Sequence, residues 1–372
     1  MPGREEVVQL GEATGMPDIW RPLSLAPSRT ANTLAGMLVP ISALLFFVIQ
    51  KSKHKQLFYL LIGGLALLSA VIGLFQILSS AASPLYFYDV TNNGSAVGFF
   101  ANRNHNAVFL VIGLFAFLHY AWLRDDISLK LSTLDMMVLS AAIIVLVIIL
   151  VNGSRAGLLS LGIFASCAAT IFLLSNRFNR RRKDKNRHNS NAVLRLLFPL
   201  VFCLLAVSII TLFFMTDRIL ALERFFEKSA FEDLRFQAIG VFTKLFQIYW
   251  VAGSGFGSFE YVYRIHEPSS LLMSSYVNQA HNDWVQFAIE GGLPAMLIFA
   301  VFAIWLVRRL LKLMIGPKSD LRHFVFWLGV FVTIGVASLF DYPLRTPLFQ
   351  MICVWLVVLF ALQSEQVNHR RI

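Results

Sequence analysis

Residues 57–79 read LFYLLIGGLALLSAVIGLFQILS, twenty-three positions without one charged side chain. A run of that length crosses the roughly 30 Å hydrocarbon layer of a bilayer as an α-helix. Lipid offers backbone N–H and C=O groups no partner, so such a segment is a helix or a strand of a closed barrel. Its apolar residues do not alternate with polar ones, which selects the helix.

Eight further runs of the same kind flank it, at 34–50, 105–123, 134–151, 156–174, 196–215, 284–307, 323–340 and 347–362. The whole chain of 372 residues is 57% apolar and 14% charged, against about 25% charged in a soluble domain. That balance excludes a soluble enzyme, a disordered chain and a fibrous protein. The fold class expected is an all-α integral membrane protein of about nine transmembrane helices. Its organisation reads as an N-terminal segment over 1–33, six helices over 34–216, a large loop over 217–283, and three helices with a tail over 284–372. Cys167, Cys203 and Cys353 all lie inside apolar runs and define no disulfide framework.

Basic residues in short loops stay in the cytoplasm, and here they separate by face. Twenty of the 32 Lys and Arg fall on one face with five acids, and the other twelve share the opposite face with fifteen. The first face is therefore cytoplasmic. The run Arg180-Arg181-Arg182-Lys183-Asp184-Lys185 is a juxtamembrane topology signal that also suits anionic lipid, so no nucleic-acid partner is expected. Nine spans and a cytoplasmic C-terminus place the N-terminus outside, although residues 1–33 hold no apolar signal core.

The one long connection, 216–283, lies on the outer face. Loops of that length usually carry function. Within it, Leu234, Ala238, Val241, Phe242, Leu245, Ile248 and Tyr249 share one arc of a helical wheel over 234–249, and Gln237, Lys244 and Gln247 share the other. This is an amphipathic helix at the membrane surface or capping the spans. Arg235 falls inside the apolar arc, among Ile239, Phe242 and Phe246. It either snorkels to a headgroup, pairs with an acid such as Glu232, or binds a phosphate on a lipid-tailed ligand. The following Gly253-Ser254-Gly255-Phe256-Gly257-Ser258 is a flexible turn or a loop whose bare backbone approaches a ligand.

His281-Asn282-Asp283 stands where the loop re-enters the membrane. An imidazole there is an interfacial anchor or a base that takes a proton from a hydroxyl. Glu290, deep in the following span, is a functional candidate by depth, or a structural acceptor at the Gly291-Gly292-Pro294 break. Arg155 and Arg345 stand at other span mouths on the same face. Arg103 and Asn104 lie in the polar stretch Asn102-Arg103-Asn104-His105-Asn106, whose amides bind sugar hydroxyls or cap the third span. Taken together, four arginines and a histidine at one depth outline an anion site open to the outer leaflet.

These residues resemble the O-antigen ligase and polymerase family, membrane glycosyltransferases that take glycans from undecaprenyl pyrophosphate. The resemblance rests on Gly98 to His105, Ser154-Arg155-Ala156-Gly157, Arg235 ahead of Gly253-Ser254-Gly255-Phe256-Gly257, His281-Asn282 with Glu290 and Gly292, and Asp341-Tyr342-Pro343-Leu344-Arg345. It implies that Arg155 and Arg235 hold the pyrophosphate and that His281 is the base on the acceptor hydroxyl. Arg103, Asn104, Asn282, Glu290 and Arg345 are expected as support. The implied partners are an undecaprenyl-pyrophosphate-linked glycan donor and lipid A core or a growing glycan as acceptor, in the bacterial inner membrane with the site facing the periplasm. No cofactor, nucleotide or metal is expected; there is no Asp-x-Asp motif. Ala295 stands where the family often has a second glycine. Residues 21–27 resemble an outer loop between helices, so an N-terminally shortened member is expected. A lipid-linked-glycan transporter and an inactive scaffold are the rival classes.

Overall fold

The computed structural model describes residues 4–16, 22–51, 54–123, 133–182, 230–272, 277–315 and 320–369. Every helix or strand among them is helical. In chain order they are α1 (Arg4–Ala13), α2 (Pro27–Gly36), α3 (Leu38–Val48), α4 (Leu57–Leu78), α5 (Arg103–Leu123), α6 (Thr133–Asn152), α7 (Arg155–Arg182), α8 (Ala230–Tyr249), α9 (Phe259–His266), α10 (Asp283–Ile315), α11 (Leu321–Phe340) and α12 (Pro347–His369). Eight stretches are long and apolar enough to cross a membrane, which establishes an all-α integral membrane protein. They correspond to eight of the nine expected spans; the ninth, 196–215, lies outside the described residues.

Two boundaries differ from the sequence expectation. The first crossing is not one helix over 34–50 but the succession of α2 and α3, which together give the apolar stretch Pro27–Val48. The seventh is longer than expected: α10 runs 33 residues, with a break at Gly292 (φ 58°, ψ −156°) and Pro294 just beyond it. Proline cannot donate to the preceding turn, so a helix opens there.

The chain divides into two compact units. One comprises Lys51–Glu227, Lys312–Val336 and Gln366–Ile372. Its centre is α5, whose apolar window is 78% buried, and small residues let neighbours approach it. A Cβ on Gly113 would meet the Ala66 methyl of α4, and one on Gly63 would meet the Phe117 ring. Phe115 stacks edge-on against Phe164 of α7 and Phe326 of α11, at 5.0 and 5.8 Å between centroids.

The other unit comprises Met1–Gln50, Lys228–Leu311 and Ala337–Glu365. The Trp355 indole N–H of α12 donates to the Ala43 carbonyl of α3 (3.1 Å). Between α8, α9 and the start of α10, Ala238, Val241, Leu245, Tyr249, Phe259, Val262, Tyr263 and Ile289 form a closed apolar core. The apolar arc of α8 therefore caps protein rather than lipid, and Lys244 and Gln247 on its other arc are exposed. A second ridge, Ile239, Phe246, Trp250 and Val251, faces outward.

Candidate active site

His281 ends the loop that follows α9. Its φ of 49° makes it the sole non-glycine with positive φ among the described residues, a conformation that side chains adopt only when their surroundings enforce it. On one side of it the Ala280 N–H donates to Gln286 Oε1 (2.9 Å). On the other, Asn282 caps α10: its Oδ1 accepts from the Val285 N–H (3.1 Å), and its Nδ2 donates to the Leu339 carbonyl (3.0 Å). One side chain thus satisfies an orphan donor at the start of α10 and an orphan acceptor at the end of α11.

The imidazole is held by Asp341, whose Oδ1 lies 3.2 Å from Nδ1. The Asp341 side chain is 3% exposed against 16% for His281, and the same Oδ1 accepts from the Tyr342 N–H (3.0 Å). An ionised carboxylate can only accept, so it fixes the proton on Nδ1 and leaves the ring's lone pair on Nε2. The Tyr342 ring meets the imidazole edge-on at 4.9 Å.

Two turns along α10 the same connection is clamped again. Arg345 Nη2 donates to Glu290 Oε2 (3.1 Å), and its Nε lies 3.5 Å from Asp283 Oδ1. Asp283 Oδ2 accepts from the Leu344 N–H (3.1 Å). The Glu290 carboxylate is fully buried, and its Oε1 accepts from the Phe259 N–H (3.2 Å) and Gln286 Nε2 (3.1 Å). Arg345 is therefore a local ion-pair partner here. Its charge is spent on two carboxylates seven residues apart on one helix face, and Glu290 serves the scaffold through its side chain.

The glycine loop approaches protein. Ser254 and Gly255 N–H donate to the Ile289 and Glu290 carbonyls (3.0 and 2.9 Å) that the α10 break sets free, and Leu293 N–H donates to the Val251 carbonyl (3.2 Å). Gly253 and Gly292 face each other so closely that a Cβ on either would strike the other's backbone neighbourhood. On the far side Leu25 N–H donates to the Ser254 carbonyl (3.0 Å), and the Thr30 hydroxyl donates to the Phe256 carbonyl (2.7 Å). The segment after Pro22 is thus part of this knot.

In the other unit, α5 and α7 each begin on an arginine, Arg103 and Arg155. Their N-termini are tied together by the Ser154 hydroxyl, which donates to Asn104 Oδ1 (2.8 Å) while accepting from the Gly157 N–H (3.0 Å) as the cap of α7. Asn102 Oδ1 accepts from the Asn104 N–H (2.8 Å), and Asn106 and Asn152 both donate to the Ala96 carbonyl (2.7 Å each). The asparagines of this stretch cap and brace. Two helix N-termini, each starting on a guanidinium, make an electropositive corner. Arg235 lies in α8, and its side chain is outside the described residues.

The structure thus groups His281, Asn282, Glu290 and Arg345 in one cluster and Arg103, Asn104 and Arg155 in another. Residues 139–300 match the family model described as O-antigen ligase. Over those residues the chain is similar to that family. The matched stretch contains Arg155, Arg235, His281, Asn282 and Glu290, while Arg103, Asn104, Asp341 and Arg345 lie outside it. No curated protein matches the chain. The roles of two members of the His281 cluster escaped sequence reasoning. Asp341 was legible within Asp341-Tyr342-Pro343-Leu344-Arg345 but not as the partner of His281, and Gln286 carried no signal beyond standing one turn before Glu290.

Proposed function

We propose that the chain is an O-antigen ligase-type glycosyltransferase, moving a glycan from undecaprenyl pyrophosphate to an acceptor hydroxyl on lipid A core at the periplasmic face of the bacterial inner membrane. The observation that carries this reading is the His281–Asp341 pair, because a base must present one lone pair in a fixed direction. The acceptor hydroxyl gives its proton to His281 Nε2 as its oxygen attacks the anomeric carbon. The bond from that carbon to the pyrophosphate oxygen breaks, undecaprenyl pyrophosphate leaves with the bonding pair, and the anomeric configuration inverts. The imidazolium then releases its proton to water, with Asp341 stabilising the charged ring in the interval.

Arg155 and Arg235 hold the pyrophosphate, where fixed cations stabilise the growing charge more in the transition state than in the ground state. Arg103, on the corner that Asn104 and Ser154 brace, supports Arg155. Asn282, Glu290 and Arg345 hold the base in place. The exposed ridge of α8 continues through Val251 to Leu293, Leu297 and Ile298 of α10, which suits a donor whose lipid tail stays in the bilayer. The scheme uses no metal or cofactor.

The test is a transfer assay in nanodiscs with a defined undecaprenyl-pyrophosphate-linked repeat and two acceptors. Product on lipid A core identifies a ligase, and product on a second lipid-linked repeat identifies the family's polymerase. Donor binding with neither product would refute the transferase.

A further inference from the structure

We propose that Gln286 is a positioning residue for His281, the link through which the buried Glu290–Arg345 pair dictates the backbone geometry of the base. The inference rests on the reading of His281 as the base. Gln286 is 1% exposed, and both of its amide N–H donors and its oxygen are bonded inside the protein. Oε1 accepts from the Ala280 N–H (2.9 Å), while Nε2 donates to Gln279 Oε1 (2.6 Å) and Glu290 Oε1 (3.1 Å). The orientation of this amide is not arbitrary. The Ala280 N–H can only donate and an ionised Glu290 can only accept, so a flipped amide would lose both bonds.

The consequence falls on the next residue. His281 sits at φ 49°, and a side-chain-bearing residue keeps that conformation only where its neighbours over-determine it. Ala280 is pinned from α10 by Gln286, and Asn282 is pinned by Val285 and the Leu339 carbonyl. His281 cannot relax between them, and its ring stays on Asp341. Gln286 is in turn held by Glu290, which Phe259 N–H and Arg345 fix from two other elements. The relay Arg345–Glu290–Gln286–Ala280 converts one buried ion pair into a fixed direction for Nε2. Displacing a reacting group by about 1 Å costs on the order of 10²-fold in rate.

The experiment measures transfer by the full-length protein in nanodiscs for wild type, Gln286→Met and Gln286→Glu. The methionine keeps the shape and loses every hydrogen bond; the glutamate keeps an acceptor for Ala280 and sets a second carboxylate beside Glu290. For Gln286→Met we expect kcat to fall about 10- to 100-fold with the KM for donor and for acceptor within about twofold of wild type. Gln286→Glu, the arm to read if the methionine variant does not fold, should show the same split with a smaller loss. A merely structural glutamine would lower the amount of folded protein and leave kcat per folded molecule unchanged, and that result overturns the proposal. So does a parallel change in kcat and KM. His281→Ala run alongside separates the two readings. If it is inactive while both Gln286 variants turn over normally, the relay alone fails; if it is fully active, the base assignment fails first.

Discussion

Replacing Arg345 by methionine isolates the cost of a buried charge. Arg345 contacts Glu290 at 3.1 Å and Asp283 at 3.5 Å, and the Glu290 side chain is fully buried. Arg345→Met removes the cation that both contacts share and strands the buried Glu290 carboxylate. Breaking a buried pair on one side typically costs about 3–5 kcal/mol, because the remaining charge cannot regain its water. The second substitution decides whether that is the cause. Glu290→Gln added to Arg345→Met restores a neutral group that still accepts from the Phe259 N–H, so the double variant should recover about 1–3 kcal/mol of the loss, a coupling of the usual size for contacting residues. Thermal unfolding of the purified protein in nanodiscs, followed by tryptophan fluorescence, reads both. The single variant should melt several degrees lower, and the double variant should lie between it and wild type. A single variant as stable as wild type, or a double variant whose losses simply add, would refute the buried-charge argument.

Asp341→Asn keeps the shape of the side chain but can turn its amide N–H toward the ring, so transfer should fall roughly 10²-fold or more with donor binding intact, as measured by turnover against equilibrium binding. Gly292→Ala places a Cβ at φ 58° against the Gly253 backbone; the loss of stability, read from thermal unfolding, should exceed the about 1–2 kcal/mol of the left-handed conformation alone. Burial, assisted by Glu267, pushes the Tyr263 phenol up to about 12. The folded state keeps that proton where an unfolded chain loses it near 10, so stability should decline between about pH 10 and 12; unfolding temperature against pH shows the decline, and Tyr263→Phe should flatten it. Ile265 is 74% exposed in α9, and a cysteine placed there should react with an impermeant maleimide from the outer face; reaction only after the inner membrane is opened would reverse the orientation.

The helices were legible because length without charge is a sufficient condition for a span, and the buried face of α8, which carries Leu245 and Tyr249, followed from its 3.6-residue period. The strain and break around Gly292 and Pro294 were visible as residue types. What they accept was not: the partners of the freed Ile289 and Glu290 carbonyls come from a loop 35 residues earlier, and that loop's own partner, Thr30, stands 226 residues from Phe256. His281 was legible as an interfacial imidazole, but its carboxylate is 60 residues away beyond two helices, and no periodicity spans that distance. Arg345 was legible as an arginine at a span mouth, but which acids compensate its charge, Asp283 and Glu290, was not. The positions of those acids on one helix face, seven apart, held the clue.

The most direct test of the account is the single-turnover rate of the His281→Gln protein saturated with lipid-linked donor, measured beside its donor affinity. With the lone pair of Nε2 gone and the pyrophosphate contacts untouched, the donor should bind as in wild type and remain uncleaved when acceptor is added. Glycan transfer at the wild-type rate would contradict the claim that this imidazole takes the acceptor's proton.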